Sequence, residues 1–266
     1  MLNLEEIIQN EIQNGYSDYN ARAKVCQDIV LKAIASGDLN KNITVKGGVV
    51  MRSKSNNIRR ATQDLDLDFI RYSLSNESID AFIKKMNCIK ELQIRRIGEI
   101  EELKQQEYKG KRVYIEIQDK SGFKINSKID LGVHSKLDVE QEEYCFDIAF
   151  DDEGANLLIN SNEQMFVEKL RSLLKLGPIS TRYKDIFDMF YLSKRVELSK
   201  LKLCLNTYIF NDNEMHENSE SDAVNRIQQI FSNETYMKSL LRSNKNWLDE
   251  SVAEVTTELI NFLKLL

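Results

Sequence analysis

The spacing of apolar residues changes period several times along the chain, and the changes mark out its elements. Leu4, Ile7, Ile8 and Ile12, then Val25, Ile29, Val30 and Ala33, recur every three or four residues. This spacing predicts packing helices over Leu4 to Gln13 and Ala21 to Ala35. Ile43 to Val45 predicts a short buried strand that runs into Gly47-Gly48. From Asp64 to Phe69 the period is two: Leu65, Leu67 and Phe69 point to one face, and Asp64, Asp66 and Asp68 to the other. A helix is expected over Ile79 to Met86, then strands over Leu92 to Ile97, Arg112 to Ile117, Lys124 to Val133 and Glu142 to Phe150.

From Asn162 onward the apolar pattern is helical throughout, which places a domain boundary near residue 160 and predicts domains of 1–160 and 161–266. Phe166, Val167, Leu170, Leu173 and Leu174 form the inward stripe of a helix that Gly177-Pro178 ends. A second helix interleaves Ile186, Phe187, Met189, Phe190 and Leu192 with Arg182, Lys184, Asp185 and Asp188. Asp185 and Asp188 share a face, and out of context they are ordinary surface charges. Asn211 to Glu220 is polar and acidic, and a mobile loop is expected there. Ala223 to Phe231, Tyr236 to Leu241 and Leu248 to Leu265 complete the helices.

Composition narrows the function classes. With 266 residues, 42% hydrophobic and 30% charged, the chain can bury a sizeable core, and a single proline favours a helix-rich fold. A net charge of −5 excludes a general polyanion binder and leaves nucleic-acid contact to local basic patches. His134 and His216 are the only histidines, which argues against histidine-rich zinc chemistry or a Ser-His-Asp triad. Cys26, Cys88, Cys145 and Cys204 have no metal-ligand spacing and are expected to be reduced, part-buried core residues. No apolar run is long enough to cross a bilayer, and the first residues do not form a signal peptide, so a cytoplasmic location is expected.

The candidate chemistry lies between residues 46 and 68. Glycines at 47 and 48 let the backbone approach a ligand closely, and a helix starting there would aim free N–H groups at a phosphate. Carboxylates two residues apart on one strand face repel each other unless water or a hard cation lies between them, and Mg²⁺ takes such oxygen ligands. A phosphate-cradling turn followed by a strand-borne Asp pair therefore points to phoshoryl transfer with two-metal potential; an exposed acidic strand edge beside a glycine turn is the other reading. The intervening stretch Arg52 to Arg60 reads as a basic loop, able to neutralise a triphosphate or an RNA backbone, or simply solvated. Asp130 is a single carboxylate among apolar neighbours on an expected central strand, costly there unless paired, metal-bound or capped by backbone N–H groups.

Lys46-Gly47-Gly48, Arg60-x-Thr62-x-Asp64-Leu65-Asp66, Glu168-Lys169-Leu170 and Arg182-x-Lys184-Asp185-x-x-Asp188 occur in that order. The set resembles the AbiEii/AbiGii-type toxin nucleotidyltransferases of the DNA polymerase β-like superfamily, over roughly residues 40 to 195. The resemblance implies an α+β fold, a mixed sheet flanked by helices, with a helical C-terminal part that completes the active site. It implies that Asp64, Asp66 and Asp130 hold Mg²⁺ (or Mn²⁺), and that Lys46, Gly47, Gly48, Arg60, Thr62 and Lys169 bind the nucleotide. Asp185 or Asp188 would finish the site. Thr62 stands where the family usually has serine, and Gln63 where an acid is common. The implied reaction moves an NMP from an NTP to an acceptor hydroxyl, with tRNA or other RNA as acceptor and a cognate antitoxin as partner. A protein or small-molecule acceptor, or a silent nucleotide-binding regulatory protein, are the alternatives. Arg95-Arg96 and Lys109 to Arg112 would favour RNA, whereas the Asp-rich strand would favour a cationic small molecule.

Overall fold

The period-two stretch becomes a central strand of a seven-stranded mixed sheet, and its neighbours explain why both of its faces are committed. The computed structural model describes residues 2–103 and 110–266, which fall into two compact units, Met1–Asn160 and Ser161–Leu266. In the first unit α1 (Leu4–Gln13) and α2 (Asp18–Ala35) precede β1 (Ile43–Lys46), α3 (Gly47–Ser55) and β2 (Leu65–Phe69). After them come α4 (Asn76–Lys85), β3 (Leu92–Leu103), β4 (Gly110–Asp119), β5 (Lys124–Val133), β6 (Glu142–Ile148) and β7 (Asp151–Ile159). The strand order is β3-β4-β5-β2-β1-β7-β6, with β2 parallel to β5, β1 parallel to β7, and the remaining pairs antiparallel.

Leu65, Leu67 and Phe69 are buried, and Phe69 meets the ring of Phe82 from α4 edge-on at 5.2 Å. Helix α2 packs on β5, β6 and β7. The apolar half of β2 is therefore core, and its register with β1 and β5 is fixed, because a one-residue slip would turn three aspartates into that core.

Several expectations needed correction. The stretch beginning at Arg52 is not a loop in its first half: Arg52 to Ser55 is the last turn of α3, and Arg52 and Arg60 are buried. The strand expected to reach Phe150 stops at Ile148, and β7, which sequence reasoning missed, follows it. Its polar start Asp151-Asp152-Glu153-Gly154 hides the strand signal. Gly154 lies at φ +69°, and the β6–β7 ladder shifts register between Phe146 and Ile148. Cys88 and Cys145 are exposed rather than part of the core, whereas Cys26 and Cys204 are buried and burial pushes each thiol up to about 12. Lys109 lies outside the described residues.

The second unit is helical: α5 (Asn162–Leu176), α6 (Tyr183–Ser193), α7 (Leu198–Leu205), α8 (Glu220–Phe231), α9 (Glu234–Arg242) and α10 (Val252–Leu263). Helix α5 packs on α6 and α7, and α10 on α6 and α8, with Phe166 edge-on to Phe262 at 5.5 Å. The polar stretch after α7 is anchored rather than mobile, since Met215 and Glu217 are buried and Asp212 accepts from Arg171 at 2.8 Å. Ser251 begins α10 with a reciprocal capping box through Glu254, which explains why the helix starts four residues later than the apolar pattern suggested. No helix among the described residues is long and apolar enough to cross a membrane.

Candidate active site

Strand register puts three of the candidate residues abreast, with Arg112 beside them. Lys46 on β1 pairs with Asp66 on β2, Asp66 with Asp130 on β5, and Asp130 with Arg112 on β4. Directly paired residues project to the same face, so a row of two adjacent carboxylates flanked by a lysine and an arginine crosses the sheet opposite the Leu65–Leu67 side. Asp68, two residues on, joins that face with its carboxylate 2.7 Å from the Lys46 ammonium. Asp64 precedes β2, and its carboxylate lies 2.7 Å from the Lys128 ammonium. Arg112 grips Asp130 with two parallel bonds, Nε and Nη2 each donating over 2.7 Å to one carboxylate oxygen. That fork raises the Arg112 pKa above its ordinary value, chiefly through the hydrogen bonds to Asp130.

The glycine turn is built around these carboxylates. Gly47 begins α3 at φ +68°, and a Cβ there would stand 2.4 Å from Oδ2 of Asp66. A Cβ on Gly48 would stand 2.4 Å from Oγ1 of Thr62. The first turn of α3 is thus held against Asp66 and Thr62 by the absence of side chains, and its first N–H groups have no helical partners of their own. Gly47→Ala should cost roughly 1–2 kcal/mol through positive φ, plus whatever moving Asp66 costs. Gly98 has the same φ of +68° with nothing within 4 Å of a Cβ. Gly98→Ala should therefore show the backbone cost alone, and comparing the two thermal midpoints isolates the Asp66 contact.

A buried polar cluster adjoins the row. The Thr44 hydroxyl lies 2.6 Å from Oε1 of Gln141, and Gln141 lies 3.4 Å from Nε2 of the buried His134. Burial lowers the His134 pKa from 6.5, with Asp68 opposing. The unfolded chain therefore binds the proton more tightly, and the stability neutral His134 contributes is present above about pH 6.5 and lost as pH falls through the lowered folded value. Urea unfolding at pH 5.5 and 7.5 should show this loss, and His134→Asn should flatten it.

The second unit holds the other candidates. Lys169 on α5 is buried, 2.7 Å from Oδ1 of Asp185 and 2.9 Å from Oδ2 of Asp188 on α6. Arg182 donates to Asp185 over 2.8 Å, and the Trp247 indole N–H donates to Asp188 over 3.0 Å. Asp185 and Asp188 are therefore buried partners of a lysine and not surface charges. Trp247 was missed, because a tryptophan far along the chain carries no spacing signal. Lys128 and the role of Arg112 were missed likewise, since only strand pairing brings them to Asp64 and Asp130.

Among the described residues no three His, Cys, Asp or Glu side chains converge as a ready metal cluster. The donor set nevertheless suits a hard divalent cation. Mg²⁺ usually takes one or two carboxylates and completes its shell with water and substrate phosphates. Asp64 and Asp66, on one face beside the glycine turn, are such donors, and Asp130 is adjacent.

A mixed sheet carrying an acidic strand behind a glycine turn is the frame of a nucleotidyltransferase. The family model for the nucleotidyl transferase AbiEii toxin, type IV toxin–antitoxin system, matches residues 29–251, and the chain belongs to that family. No curated protein matches it. Among solved structures, the crystal structure of ANT(2'')-Ia in complex with adenylyl-2''-tobramycin is 15% identical with a TM-score of 0.44, covering 69% of this chain and 96% of that one. The solution structure of the antibiotic-resistance factor ANT(2'')-Ia is 13% identical with a TM-score of 0.43, covering 69% of this chain and 90% of that one.

Proposed function

We propose that this nucleotidyltransferase moves an NMP from an NTP to a hydroxyl of an RNA acceptor, tRNA included, in a reaction dependent on Mg²⁺ or Mn²⁺, and that it acts as a toxin checked by a cognate antitoxin. The observation that carries the catalytic reading is the row Lys46–Asp66–Asp130–Arg112 facing the Gly47-Gly48 turn. Membership of a toxin family of a toxin–antitoxin system supports the antitoxin part; the RNA acceptor is what the family resemblance implies.

In this reading Asp64 and Asp66 are the cation ligands, with Asp130 beside them. The cation supplies charge to offset the phosphates and polarises the acceptor hydroxyl. The acceptor oxygen bonds to the α-phosphorus as its proton passes to water, the bond from the α-phosphorus to the bridging oxygen breaks, and pyrophosphate leaves with that oxygen. The N–H groups at the start of α3 orient the phosphates, and Lys46 adds positive charge. Thr62 stands against Gly48 in the same turn, and Arg60 is assigned to nucleotide binding with it. With both oxygens held by Arg112, Asp130 contributes charge and orientation. Lys169, Asp185 and Asp188 are assigned to nucleotide and acceptor binding.

The test is incubation with Mg²⁺, each labelled NTP and total bacterial RNA, beside a variant lacking the Asp64 and Asp66 carboxylates. Label in tRNA-sized RNA that needs both acids supports the proposal. Label on protein or a small molecule replaces the acceptor, and no nucleotide use under any condition refutes it.

A further inference from the structure

Asp66 is fixed by the sheet, but Asp64 is not: the β2–β5 ladder begins at Leu65, so the residue that carries the other acid stands just outside it. Something else must hold the backbone there. Gln27 on α2, fully buried, does so: its carboxamide nitrogen donates to the carbonyl oxygens of Thr62 at 3.1 Å and Asp64 at 3.5 Å. Its oxygen accepts from Arg52 Nη1. Arginine can only donate and carbonyls can only accept, so the partners fix which end of the amide points which way. Arg52 is held in turn by Asp28, at 3.2 Å, and Asp28 also takes the Lys24 ammonium at 2.7 Å and the Ala149 N–H at 3.1 Å.

We propose that Gln27 is a positioning residue for the transfer reaction, a brace that runs from Asp28 through Arg52 and sets the backbone from which the Asp64 carboxylate is presented. This rests on the assignment of Asp64 to the reaction. Arg52 sits on α3, the helix that starts at the glycine turn, so one buried amide ties that helix to the Thr62–Asp64 segment. Buried polar groups so connected persist because each leaves the next unpaired if it is lost. The basic residue that sequence reasoning offered to a triphosphate serves this internal brace.

Two variants test it. Gln27→Glu keeps an acceptor for Arg52 and removes the donor to both carbonyls; Gln27→Leu removes both functions. Gln27→Glu is expected to fold, to lower kcat by roughly 10- to 100-fold with KM for the NTP changed less than about threefold, and to need more Mn²⁺ for half-maximal binding in a titration without turnover. Hydrogen exchange should quicken in the peptide spanning residues 61–67 and stay unchanged in β5. A folded Gln27→Glu protein with wild-type kcat and unaltered exchange overturns the brace. Should the wild type itself transfer no nucleotide, the proposed function fails separately, and exchange at 61–67 alone then decides whether Gln27 braces that segment.

Discussion

Asp66→Asn should lower nucleotidyl transfer by about 10³-fold or more, about 4 kcal/mol of barrier, while the protein keeps its fold. Asparagine has nearly the same shape, so the close fit of Gly47 against the side chain survives and the change is one of charge. Asp66 stands between Lys46 and Asp130 in the sheet row, with its backbone held by ladders on both sides, so it cannot swing away to compensate. In the proposed mechanism, neutralising it removes one of the two cation ligands beside the glycine turn. The check is single-turnover transfer of labelled nucleotide at saturating NTP, with circular dichroism and thermal unfolding on the same preparation. Asp64→Asn should cost less in stability than its position suggests, because the side chains of Asp64 and Lys128 are 43% and 33% exposed and such pairs contribute about 0–1 kcal/mol. Full activity in Asp66→Asn would remove the acidic strand from the mechanism.

Much of this was legible in the residues. The alternation over Asp64 to Phe69 foretold a strand with an apolar face and an acidic face, and the two glycines foretold the helix start that follows β1. What the sequence does not carry is pairing. Nothing in the spacing places Arg112 beside Asp130, because the partnership depends on β4 and β5 lying antiparallel in one register. The same holds for Lys128 and Asp64, and for Gln27, whose partners are backbone carbonyls thirty-odd residues away. Basic residues offered to a ligand also serve as internal counter-charges: Arg52, Lys46 and Arg112 each meet an aspartate of the same unit. β7 was lost for a different reason: its charged start and a glycine at positive φ look like a turn, and only its pairing with β6 on one side and β1 on the other makes it a strand.

Lys169→Met should destabilise the helical unit by roughly 3–5 kcal/mol, whatever it does to catalysis. Asp188 has no exposure at all and meets the Lys169 ammonium and the Trp247 indole N–H, of which only the ammonium carries a full charge. Methionine fills much of the volume of the lysine stem but takes the Lys169 ammonium, 2.9 Å away, from that fully buried carboxylate. Asp185 suffers less, because Arg182 still reaches it at 2.8 Å from a largely exposed position. The consequence is an asymmetry that a double-mutant cycle can read. Adding Asp188→Asn to Lys169→Met should recover more than half of the lost stability, whereas adding Asp185→Asn should recover less. Urea unfolding of the six proteins, wild type, the three single variants and the two doubles, measures both couplings. The same series separates structure from chemistry: if the Lys169→Met, Asp188→Asn protein regains stability but not transfer, the Lys169–Asp188 pair acts on the substrate as well as on the fold. If Lys169→Met alone is as stable as the wild type, the buried-charge account of this cluster is wrong, and the lysine is retained for the reaction alone.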